Sequence, residues 1–90
     1  MNNFIWKTND EILLDLAQRI KNIRKRKALT QVDLSVISGV SYGSIKRFEN
    51  TGEISLYSLT KIARALDYIQ EIENLFKDVE YKDIEEILNE

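Results

Sequence analysis

Tyr42, Lys46 and Arg47 stand at positions i, i+4 and i+5, with Ile45 and Phe48 interleaved three apart. At 3.6 residues per turn, the polar set shares one helical face and the apolar pair the opposite one. Lysine and arginine donate to phosphate oxygens, and the arginine fork also fits the O6 and N7 acceptors of guanine. A helix with that layout, held at an angle by the helix before it, can enter a DNA major groove.

The stretch TQVDLSVISGVSYGSIKRFEN, residues 30–50, supplies that preceding helix. Thr30 has the position of an N-cap, with Asp33 as a shorter capping-box partner. Leu34 and either Ile37 or Ser38 face inward, and Val32 and Val36 are left as exposed apolar residues. Ser38-Gly39-Val40-Ser41 reads as a tight turn in which Gly39 takes the left-handed conformation and Val40 plugs the space between the helices. Ser41 caps the next helix, which runs to about Asn50 and is ended by Gly52.

Three further helices must hold this pair. Thr8-Asn9-Asp10-Glu11 has capping-box spacing and opens a helix to about Lys27, with Ile12, Leu13, Leu16, Ala17, Ile20 and Ile23 as its buried stripe. Basic residues crowd its C-terminal half, where the helix dipole favours them. Ser55 caps a fourth helix over Leu56–Leu66, with Leu56, Leu59, Ile62, Ala63 and Leu66 inward. After a corner at Asp67-Tyr68, a fifth covers Ile69–Phe76. Ile69, Ile72 and Phe76 are assigned mainly to the core, and Tyr68 to a dimer contact. Residues 1–9 form an arm whose Phe4, Ile5 and Trp6 dock on the domain's own core or on a partner. Residues 77–90 form an acidic tail with Tyr81, Ile84, Ile87 and Leu88 as scattered apolar positions, a sixth amphipathic helix or a segment that orders against a partner. The central domain is therefore 10–76.

Ninety residues make one small domain, and the absence of proline with only three glycines favours helices. There is no cysteine and no histidine, which removes the thiol nucleophile, the commonest general base and the commonest metal ligands. No catalytic residues, metal or cofactor are expected, and an enzyme is disfavoured. No stretch has the length of a membrane span and the N-terminus lacks signal-peptide character, so a cytoplasmic location is expected. The net charge of −2 conceals a division. Residues 19–50 carry eight Lys/Arg against Asp33 and Glu49, whereas residues 67–90 carry nine Asp/Glu against Lys77 and Lys82. The middle suits a polyanion and the end would be repelled by one.

From about Leu16 to Phe76, LAQRIKNIRKRKALTQVDLSVISGVSYGSIKRFENTGEISLYSLTKIARALDYIQEIENLF resembles the phage-repressor (lambda/Cro, or XRE) type of helix-turn-helix domain. Thr-Gln opening the second helix, Gly-Val-Ser at the turn, Ile45, Glu49 and the Leu-X-X-Ile-Ala-X-Ala-Leu run carry the likeness. The resemblance implies an all-α fold of five helices, with the helix-turn-helix formed by the second and third. It also implies that Gln31 anchors to backbone phosphate and braces the recognition helix. Tyr42, Gly43, Lys46 and Arg47 then face base edges and nearby phosphates, and Ser41 and Ser44 lie at the start of that surface. Asn50 and Thr51 meet phosphate from the following loop, and Arg24 and Glu49 form an internal salt bridge. Gly43 cannot read a base by side chain, so it either permits close approach or is merely tolerated. The segment FENTGEISLYSLTKIARAL further resembles HipB-type antitoxins.

The expected function is a sequence-specific DNA-binding regulator, a repressor that binds a palindromic operator as a homodimer. An autoregulating antitoxin with a toxin partner docked on residues 77–90 is a narrower form of it. The alternative is a protein-interaction adaptor that uses the same fold without DNA, favoured by the pI of 5.2 and by Val32 and Val36.

Overall fold

The computed structural model describes residues 6–78, which form five α-helices and no strand. They are α1 (Asn9–Arg26), α2 (Gln31–Ser38), α3 (Tyr42–Thr51), α4 (Leu56–Ala65) and α5 (Ile69–Glu73). The first four helices each start at a hydroxyl. Thr8, Thr30, Ser41 and Ser55 have extended backbones, and each side chain accepts the N–H three residues ahead. At Thr8 and Thr30 the box closes in both directions, because Glu11 and Asp33 accept the cap's own N–H at 2.7 and 2.9 Å. Such a cap is worth about 1 kcal/mol to its helix. Gly39 and Gly52 follow α2 and α3 at φ 75° and 83°, both left-handed, as expected of Gly39.

The core is built from Ala17 of α1, Leu34 of α2, Val40 of the turn, Ile45 and Phe48 of α3, and Ile62 and Leu66 of or beside α4. α1 packs on α3, α2 packs on both α3 and α4, and α5 packs on α4. Val40 occupies the space between α2 and α3. Its carbonyl accepts from the Ser35 hydroxyl at 2.7 Å and its N–H donates to Ser38 Oγ at 3.1 Å. The turn that sets the angle of α3 is thereby held by side chains of α2.

Several apolar positions lie elsewhere than their periodicity predicts. Ile12 is 52% exposed and Leu13 is also exposed. The stripe is helical there, but the Gly52 backbone that closes in on Leu13 leaves both side chains exposed. Ile37 is exposed and Ser38 takes the inward position. Leu56, the first residue of α4, is 67% exposed, because the inward face of that helix begins a turn later at Leu59. α5 ends at Glu73, three residues early, and Phe76 follows at φ 59° with 90% exposure, so it is not a core residue. Trp6 is 86% exposed and docks on nothing described; Phe4, Ile5 and residues 79–90 of the tail lie outside the described residues.

Candidate nucleic-acid interface

α3 presents two faces. Ile45, Phe48 and Glu49 are buried, and Tyr42, Gly43, Ser44, Lys46, Arg47 and Asn50 are exposed. Along the outer face Lys46 Nζ lies 5.9 Å from the centre of the Tyr42 ring, a spacing at which ring and cation attract. At the N-terminus the Ser41 hydroxyl donates to Ser44 Oγ at 2.9 Å and accepts the Ser44 N–H at 3.1 Å. Thr51 uses its hydroxyl inside the protein, donating to the Arg47 carbonyl at 2.7 Å and accepting the Glu53 N–H at 3.1 Å. It closes the end of α3, and Asn50 beside it keeps an outward side chain.

A buried polar cluster fixes how that face is aimed. Arg24 near the end of α1 donates from Nε to Glu49 Oε2 at 2.8 Å and from Nη2 to Oε1 at 2.9 Å. Its Nη1 donates to the Leu29 carbonyl at 2.7 Å, in the loop before α2. Gln31 Nε2, at the first position of α2, donates to Glu49 Oε1 at 2.9 Å. One carboxylate on α3 therefore gathers α1, α2 and the loop between them. Burial pushes the Glu49 carboxyl up. Hydrogen bonds from Arg24 and Gln31, with the positive charges of Arg24 and Lys21, outweigh burial and hold it below its usual value. The Arg24–Glu49 pair that the resemblance implies is present. Gln31 takes the bracing position by bonding to Glu49, and the second hydrogen of its amide is left for another acceptor.

Sequence reading passed over Glu53. Its carboxylate forms an ion pair with the Arg47 guanidinium, and both side chains are exposed. The available signal was an acid six residues beyond an arginine, across the Gly52 turn that folds the chain back towards α3.

Gly43 has no packing reason to be glycine, because a Cβ placed there would meet nothing within 4 Å. Gly43→Ala is expected to stabilise the fold by up to about 1 kcal/mol, the helix-interior preference for alanine. Urea denaturation of the two proteins measures it. A decrease in stability would show a constraint at this position that the structure does not contain.

A short helix-turn-helix whose second helix turns a basic, aromatic face outward defines a class of DNA-binding regulator. Residues 20–73, running from within α1 to the end of α5, match the helix-turn-helix family model, which is more than half of the chain. The protein belongs to this helix-turn-helix family, of phage-repressor type, and is a DNA-binding regulator. No curated protein and no solved structure matches it. No helix among the described residues is long and apolar enough to cross a membrane.

Proposed function

We propose that the protein is a repressor that binds a palindromic operator as a homodimer, one α3 per half-site in successive major grooves. The observation that carries this reading is the outer face of α3, where Tyr42, Lys46 and Arg47 stand exposed above Ile45, Phe48 and the clamped Glu49. In the complex Arg47 forks onto guanine O6 and N7, Lys46 meets a phosphate, and Tyr42 packs on a thymine methyl or donates to phosphate. Gln31 gives its free amide hydrogen to a phosphate, with Ser41, Ser44 and Asn50 as further phosphate contacts, whereas the Thr51 hydroxyl is spent on the Arg47 carbonyl. Gly43 lets the helix approach closely. Two-fold pairing supplies the affinity that one such module lacks; Tyr68, assigned to it from the sequence, is exposed, and the exposed Phe76 joins it.

Titration of the protein with its own upstream DNA across a salt series tests the reading. The affinity is expected to fall steeply with salt, because bound phosphates release counterions. Lys46→Ala is expected to reduce the slope by about one and to weaken binding to all sequences alike. Arg47→Ala is expected to cost about 1–3 kcal/mol and to relax the preference at one base position. Binding that ignores both substitutions, or that ignores salt, would sink this model. It would favour the adaptor, for which Val32 and Val36 on the outside of α2 offer an apolar contact. The narrower antitoxin reading rests on the likeness of residues 48–66 alone, and recovery of the protein in complex with the product of an adjacent toxin gene would support it.

A further inference from the structure

Lys21 lies in the stripe by which α1 packs on α3. It follows Ala17 by four residues and precedes Arg24 by three, so the three side chains share one face of α1. Ala17 and Arg24 are 0% and 6% exposed, and Lys21 between them is half-buried. Its stem runs between the helices, and its charge reaches the Glu49 carboxylate. That carboxylate is already engaged through both oxygens, Oε2 by Arg24 Nε and Oε1 by Arg24 Nη2 and Gln31 Nε2. The residues three and four away on α1 are Ala17, Gln18, Arg24 and Lys25, so its own helix offers Lys21 no acid. Among the described residues Lys21 forms no salt bridge. Two cations thus converge on one carboxylate, and one positive charge is left over where water has limited access. Charges so placed are normally paired. The excess also has a direction. Glu49 stands three residues from Lys46 and seven from Tyr42 on α3, so it adjoins the outer face of that helix.

We propose that Lys21 and Gln31 together bind one backbone phosphate of DNA at the seam of α1, α2 and α3. The inference rests on the repressor reading and adds Lys21 to it. Glu49 takes one hydrogen of the Gln31 amide and so fixes where the other points. Lys21 supplies the charge that a neutral amide lacks, as a point charge with loose demands on geometry. The phosphate completes the balance, because Arg24 and Lys21 then face two anions instead of one. Such a contact reads no base. It holds α1 and α2 against the backbone while α3 lies in the groove. Lys25, one turn further along α1, is exposed and serves as the comparison.

The test uses the full chain and an operator fragment selected from random DNA, with single phosphates replaced in turn by uncharged methylphosphonates. For the unsubstituted protein, one replacement per half-site is expected to weaken binding several-fold through loss of this contact. For Lys21→Gln the same replacement should have no further effect, and the salt slope should fall by about one for each half-site. Gln31→Ala should lose sensitivity at that same phosphate, whereas Lys21→Arg and Lys25→Gln should keep it. Base preference should be unchanged in Lys21→Gln, in contrast to Arg47→Ala. A Lys21→Gln protein that retains the whole methylphosphonate pattern and the whole salt slope would overturn the proposal and leave the repressor reading standing. Loss of sensitivity at phosphates throughout the site would also overturn it, by showing that α3 has shifted. Failure of the unsubstituted protein to bind any DNA would overturn both.

Discussion

Glu49→Ala is expected to destabilise the protein by about 3–5 kcal/mol, the cost of leaving a buried charge without its partner. The Glu49 side chain is 1% exposed and that of Arg24 8%, so water cannot replace the lost carboxylate. Gln31 loses its acceptor in the same step. Urea denaturation followed by circular dichroism measures the effect, and a loss below about 1 kcal/mol, typical of exposed ion pairs, would contradict it. The same group sets a pH dependence. Glu49 has its folded pKa held below the ordinary carboxyl value of 4.5, so its contribution is fully present above that value and is lost as pH falls through the folded pKa. The unsubstituted protein should therefore lose stability on acidification below about pH 4.5, and Glu49→Ala should lose less over that interval.

The second large effect is expected at Gly52. Two constraints coincide there. Its φ of 83° lies in the left-handed region, which costs a residue with a Cβ about 1–2 kcal/mol. A Cβ would also stand 2.7 Å from the backbone carbon and the Cβ of Leu13, with the Leu13 carbonyl oxygen at 2.9 Å. Those atoms belong to the body of α1 and can yield only if the helix moves, an overpacking that adds about 1–3 kcal/mol. Gly52→Ala should thus cost about 2–5 kcal/mol. At roughly 4–8 °C per kcal/mol for a domain of this size, its melting temperature should fall by about 10 °C or more. Gly39→Ala is the control, since φ is 75° there but a Cβ would meet nothing. Equal losses at the two glycines would mean that the Leu13 contact carries no weight.

These two sites show what could be read from sequence and what could not. The N-caps at Thr8, Thr30, Ser41 and Ser55 were legible because a cap is a bond between residues three apart. The left-handed Gly39 and the helix stop at Gly52 were legible for the same local reason. That Gly52 lies against Leu13 was not, because that contact joins residues far apart in the chain. The Arg24–Glu49 pair spans 25 positions, and only likeness to a family pointed to it. Periodicity marked Ile12, Leu56 and Phe76 as apolar positions but could not tell where the neighbouring element stops. The outer face of α3 was read from spacing alone, yet the partner of Arg47 was missed because it sits beyond the helix, across a turn.

That ion pair has a consequence for how Arg47 would work on DNA. With Glu53 already on its guanidinium, the arginine arrives neutralised, and any base edge or phosphate that takes it must displace a carboxylate. Engagement is then an exchange of one anion for another, and it leaves an unpaired acid facing a polyanion. A phosphate alone offers little over the carboxylate it replaces, whereas a guanine fork adds geometry that the carboxylate must give up. With both side chains more than half exposed, the pair is worth at most about 1 kcal/mol, so displacing Glu53 would take only a little from a phosphate contact and less, in proportion, from a guanine fork.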